Sequence, residues 1–286
     1  LQTLSLNATD VFRSSESRLN SEKALHIQAG SMESTKDHFA SLEPICLESV
    51  YGDLSLKRTM IQTPLEARLH STGNLALNGR INTKRWLNLT SNGTLHQEGV
   101  LEVSGGGITA QSSADALIKG KWTARDDIRI GSNASVEIKN HSLLSSEGPI
   151  SVNATHKASL AGTIRTKDKA TFIGNIGVIS GNISGKNVTI ETTETLQMTG
   201  EIYANEQLQV RSKKVDITEG KLRANQNLVV SSTAEDLILN SLEMETPMNI
   251  VLNSARDIAF DGSLKTNEAI HLEAQQDVRV KGAVQG

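Results

Sequence analysis

The chain has 286 residues, 37% of them hydrophobic, enough to bury a sizeable core, but only 3% are aromatic and four are proline, so whatever packs inside is aliphatic. Its 29 basic and 32 acidic residues give a formal net charge of −3 and are spread along the sequence, which excludes an electrostatic footprint for nucleic acid or an anionic membrane. One cysteine, Cys46, excludes an internal disulfide and a cysteine-based zinc cluster, and no apolar run approaches the roughly 18 residues that a membrane span requires.

In chain order, the sequence opens on LQTLSLNATD, with neither an initiator methionine nor a charged-then-apolar leader, and reads as a segment of something longer. Units of about twenty residues then follow one another. Their starts are Leu4, Leu25, Ile45, Leu65, Leu87, Ile108 and Ile128, then Ile150, Ala170, Val188, Leu208, Leu228, Ile250 and Ile270. Residues 1–64 hold the less regular units and residues 65–286 the regular ones, within a single predicted segment spanning 1–286.

The regular units share a phrase. GRINTKRWLNL begins at Gly79, GKWTARDDIRI at Gly120, GTIRTKDKATF at Gly162, GEIYANEQLQV at Gly200, GKLRANQNLVV at Gly220 and GSLKTNEAIHL at Gly262. Within a unit the apolar residues alternate with polar ones, as in Ile250, Leu252, Ile258, Phe260 and Leu264, which is the periodicity of short strands rather than of helices. So little strand cannot bury its apolar face alone, and successive units must stack. The pattern therefore predicts an all-β parallel β-helix of about 14 coils with a period near 20 residues. Gly79, Gly120, Gly162, Gly200, Gly220 and Gly262 are its predicted corners, because a residue without Cβ takes positive φ and permits close backbone approach. Ser17, Asp37, Arg58 and Asn140 hold the corresponding places in units that lack the glycine, where wider corners are expected.

The phrase G-x-(Ile/Leu)-x-(Ala/Thr)-x-x-x-(Leu/Ile)-x-(Val/Leu), repeated with Ser, Thr and Asn in the turns, resembles the repeats of filamentous haemagglutinin and related two-partner-secreted exoproteins. The resemblance covers nearly the whole chain, strongly from Leu65 onward. It implies a right-handed parallel β-helix, secreted through an outer-membrane transporter partner and displayed on the surface of a Gram-negative bacterium. Members of that class are host-cell adhesins, passive stalks, or effectors of contact-dependent growth inhibition that bind a receptor on a neighbouring bacterium. The resemblance thus implies a non-catalytic segment that binds an outer-membrane receptor protein or a surface glycan on a target cell, without inserting into the membrane itself.

The residues leave a second class open, since parallel β-helices also carry polysaccharide-processing enzymes, which need clustered acids and bases. Asp126 and Asp127 beside Arg125, and Lys167, Asp168 and Lys169, stand in turns that are polar in nearly every unit and read as a solvated edge. The seven histidines lack metal-ligand spacing. The run Gly105, Gly106, Gly107 resembles a fragment of a calcium-binding repeat without its aspartate, so no cofactor or metal is expected. Eight N-x-(Ser/Thr) sequons, from Asn7 to Asn187, follow from turns built of Asn, Ser and Thr, with glycosylation, which the resemblance implies for some fibrous adhesins, as the alternative.

A regular solenoid presents similar faces, so specificity is expected where the phrase fails or where an aromatic points outward. Trp86 precedes an inward leucine and its ring should be exposed beside Lys84 and Arg85, a combination typical of binding hot spots; the alternative is that it folds over a neighbouring coil. Tyr51, Arg58 and Met60, in the irregular stretch, complete the candidate receptor-binding set. Trp122 takes the place of Ile202 in the phrase and is expected in the core.

Overall fold

A computed structural model describes residues 3–285. Among them there is no helix, and all thirty strands pair in parallel. The fold is a β-solenoid of about 14 coils with a period near twenty residues. Contacts group the chain into two compact units, Leu1–Gly148 and Pro149–Gly286.

Each coil has three sides. In the first unit, one coil starts with the strand Ala67–Ser71, turns at 72–74, continues through Leu75–Thr83 and turns again at 84–86 before the next strand, Leu87–Ser91. The strand Leu75–Thr83 covers two sides, because it bends at Gly79, whose φ is 153°. Register is kept from coil to coil: Leu75 stands beside Leu95, Gly79 beside Gly99 and Ile81 beside Leu101. Identical phase then piles side chains into inward ladders, such as Ile45, Ala67, Leu87, Ile108 and Ile128, all buried. A second ladder runs Ile61, Ile81, Leu101, Trp122, Leu144. Each large aliphatic member of such a ladder contributes on the order of 1.5–3 kcal/mol by leaving water. Trp122 is in the core as expected, and its Nε1 donates to Oε1 of the buried Gln97 at 2.5 Å.

In the second unit the same three-sided coil recurs. The first sides are Ile150–Ala154, residues 170–173, residues 188–191, Leu208–Ser212, Leu228–Ser232, Ile250–Ser254 and Ile270–Ala274, with Leu208 beside Leu228 and Leu228 beside Ile250.

The starts of the coils fall where alternation placed them, with one correction. Ala67, not Leu65, pairs with Ile45 and Leu87. Leu65 follows Pro64 in the turn and is only half-buried, whereas the small Ala67 fills the ladder.

Serine closes the first turn. Ser71 Oγ donates to Gly52 O at 2.8 Å and Asn74 O at 2.9 Å, and Ser91 repeats this with Gly73 O at 2.8 Å and Thr94 O at 3.0 Å. The single hydroxyl proton is thus shared between a turn carbonyl of its own coil and one of the coil before, in a place where bulk water is excluded.

The corners are of two kinds. Gly79, Gly120, Gly220 and Gly262 have φ between 152° and 156°, and a Cβ on Gly120 would sit 2.1 Å from the carbonyl oxygen of Gly99. Gly162 and Gly200 are corrections to the positive-φ expectation, since neither lies in that region. At Gly200 the requirement is close approach, with an added Cβ 1.9 Å from Gly181 O. In coils without the glycine, the corner is an L-residue in left-handed conformation: Glu16, Lys36, Arg58, His141 and Ser241, with φ of 49–64°. Ser17, Asp37 and Asn140 are therefore displaced by one residue from the expected place. Arg58 is itself a bulge, an extra residue between Lys57, which stands beside Asn78, and Thr59, which stands beside Gly79. Asp37 turns inward instead: its carboxylate accepts from Ser17 N at 2.8 Å and Ser34 Oγ at 2.6 Å.

Two substitutions test this phase. Leu208→Asp places an unpaired charge in the aliphatic stack and should destabilise by more than about 4 kcal/mol in denaturant unfolding; an unchanged midpoint would place Leu208 outside. Arg58→Val puts a β-branched side chain at left-handed φ and should cost about 1–2 kcal/mol, whereas an outward position in ordinary strand geometry would tolerate it.

Candidate functional site

All four prolines, Pro44, Pro64, Pro149 and Pro247, stand in the third turn of a coil, just before the first side of the next. Proline has no N–H, so it offers no backbone donor at these points, although the Pro44 carbonyl still accepts from Leu25 N of the preceding coil at 3.1 Å. In the first unit, a groove of about 670 Å³ lies along this turn and the adjoining third side. Its polar wall is one outward row in register, Asn20, Ala40, Gln62, Asn82 and Glu102. Leu42 and Pro64 give apolar patches, and Lys84 and Ser104 close one end. Arg80, on the neighbouring outward row, is ion-paired to Glu102 at 2.6 Å. Thr83 Oγ1, in the lining, is buried and has no hydrogen-bond partner. The side-chain amides carry both donors and acceptors, so the groove suits an uncharged or mixed polar ligand.

Beyond Lys84, the turn is built on the next coil. The glycine run 105–107 lies directly against Lys84, Arg85 and Trp86: an added Cβ would be 2.6 Å from Lys84 O on Gly105 and 1.8 Å from Arg85 O on Gly106. Close approach thus gives these glycines a packing role. Trp86 lays its ring edge over Gly107, where a Cβ would meet Cζ3 at 2.7 Å, yet the side chain remains 39% exposed. Both expectations for Trp86 are met in part, since it covers the neighbouring coil and still presents a face to solvent.

The six candidate residues do not form one cluster. Lys84 lines the groove, with Arg85 and Trp86 next along the turn, and Met60 flanks it two residues from Gln62 on the same outward face. Arg58 occupies the bulge between the second and third sides, and Tyr51, 85% exposed, stands in the turn after the first side. Neither belongs to the groove. The amide row went unrecognised because its members differ in type. Counting the coils in phase would have placed residues 20, 40, 62, 82 and 102 together.

The charged turn residues also separate. Asp126 is exposed, but Asp127 is 5% exposed, a correction to the solvated-edge reading; its Oδ2 pairs with Arg129 Nε at 2.7 Å and its Oδ1 has no hydrogen-bond donor. Among the described residues no three of His, Cys, Asp and Glu stand together as metal ligands. Neither a family model, nor a curated protein, nor a solved structure matches this chain. What the molecule does must therefore be argued from its surface.

The second unit has a smaller groove of about 230 Å³ at the equivalent turn, beside Pro247. Its outward row is charged, with Glu245 held between Arg223 at 3.4 Å and Lys265 at 3.0 Å. The hydrogen bond and charge of Lys265 keep the Glu245 carboxyl below its ordinary range. Tyr203 is outward, and its hydroxyl accepts from Asn225 Nδ2 at 3.0 Å.

Cys46 faces outward on a first side, half-buried; burial first, and Glu48 second, push its thiol above the ordinary value. The thiolate is the reactive form, so iodoacetamide at pH 8.5 should alkylate Cys46 several-fold more slowly than free cysteine, and the rate should still be climbing at higher pH. A rate equal to that of free cysteine would contradict the half-buried placement.

Proposed function

We propose that this chain is a non-catalytic binding segment of a secreted bacterial surface exoprotein, and that its partner lies along the groove of the first unit and against Trp86. The observation that carries the reading is the groove of the first unit, whose Lys84 end lies two residues along the turn from the half-exposed Trp86. Indole faces with flanking cations are typical binding anchors, and amide rows supply directional hydrogen bonds around them. Hydrolysis of a polysaccharide calls for two carboxyl groups flanking one bond. The groove lining holds a single carboxylate, Glu102, already paired with Arg80, which favours recognition over turnover.

The class of exoprotein rests on the repeated phrase and its likeness to filamentous haemagglutinin repeats. Within that class we favour a receptor on a neighbouring Gram-negative bacterium, as in contact-dependent growth inhibition, with host-cell adhesion as the other reading. Export through an outer-membrane transporter belongs to the same proposal.

The purified, labelled chain should coat target bacteria but not epithelial cells, and loss of one outer-membrane protein should abolish the coating. Coating of epithelial cells alone would shift the reading to adhesion, and coating of neither would make the segment a spacer. Trp86→Ala should weaken coating roughly tenfold or more, the usual cost of truncating an interface tryptophan, with the β-sheet circular dichroism unchanged. Full coating by that variant would remove Trp86 from the site.

A further inference from the structure

Asp127 is the one buried carboxylate of the third turn whose chemistry the fold leaves half-used. Its Oδ2 meets Arg129, while Oδ1 is fully buried and receives no hydrogen bond. Burying an acceptor without a donor is costly, so the atom should have another electropositive neighbour. Gly107 shows which one. The space that a Cβ on Gly107 would fill is reached by Asp127 Oδ1 at 1.9 Å, and by the Asp127 carbonyl oxygen and Trp86 Cζ3, each at 2.7 Å. The carboxylate oxygen and the benzo edge of the indole therefore converge on one point, which is free only because residue 107 has no side chain. An aromatic ring is positive at its edge and negative on its face, so an anion at the edge is attracted.

We propose that Asp127 is a positioning residue for the Trp86 indole, holding the ring by its edge across Gly107 so that one face stays open and fixed. The inference rests on the reading of Trp86 as a binding anchor. A tryptophan that swings freely would have to be ordered by the partner at an entropic cost, whereas a ring held from behind is already in its binding pose. The sequence shows the same economy. Lys84, Arg85 and Trp86 are backed by three consecutive glycines, and Asp127 reaches them from the coil beyond. The contact uses Oδ1, and the ion pair to Arg129 uses Oδ2, so the two can be separated by substitution.

Fluorescence reads the ring directly. The chain has two tryptophans, and Trp122 is fully buried, so emission quenched by acrylamide belongs to Trp86. Asp127→Ala should raise the quenching constant several-fold and lower the anisotropy of the quenchable component. Asp127→Asn, which keeps the shape and loses the charge, should fall between that variant and the parent. Arg129→Gln, which removes only the ion pair, should leave both readings at parent values. In the coating assay, Asp127→Ala should then weaken binding in the same direction as Trp86→Ala. Parent-like quenching and anisotropy in Asp127→Ala would overturn the proposal, as would an equal change in Arg129→Gln. Should Asp127→Ala unfold, the comparison of Asp127→Asn with Arg129→Gln decides alone. If the chain coats no cell while the fluorescence changes as expected, the positioning role stands and the binding reading fails; coating with unchanged fluorescence gives the reverse.

Discussion

The structure depends on one constraint: every strand finds its hydrogen-bond partner about one coil away in sequence, in parallel and in register. No pair of neighbouring strands closes on itself as a hairpin would. A coil is therefore incomplete until another lies on it, and side chains of equal phase are forced into columns. The rest follows from that forcing. Aliphatic columns form the core, hydroxyl columns such as Ser71 and Ser91 answer the turn carbonyls, and glycine columns allow the corners to nest.

The groove lies along the third turn, at one edge of the stack. Pro64 offers no backbone donor and lines the groove of the first unit, while the strand ladder beside it keeps its register. Next along the turn, the glycine run 105–107 brings the backbones of two coils close together against Lys84, Arg85 and Trp86. The groove and a close backbone approach thus sit side by side along one edge.

Much of this was legible in the sequence because side-chain alternation and coil stacking are both linear rules. Ile45, Leu87 and Leu208 could be placed inward from alternation alone, and Trp122 from its place in the phrase. Leu65 misled because hydrophobicity marks a ladder position only when the backbone is extended, and Pro64 had already bent it. Lys36 and Glu16 were missed as corners because left-handed conformation in a charged residue leaves no compositional mark, whereas Gly79 announces itself. The reading of Asp127 as solvated failed for a different reason. Its burial is imposed by the glycines of the preceding coil, a contact between residues twenty positions apart. The groove is legible only after the coils are aligned, when Gln62 and Asn82 prove to be neighbours.

The glycine corners also say what kind of change the molecule can accept. Gly99 must rest on the carbonyl of Gly79 and beneath Gly120, and each would clash if its partner were out of step. An insertion or deletion of one whole coil preserves every column, since the new corner meets the old ones in phase. A loss of half a coil sets a Cβ against a carbonyl and an outward lysine against the core. Length in such a chain is therefore quantised, and its history of duplication and loss should be written in steps of about twenty residues.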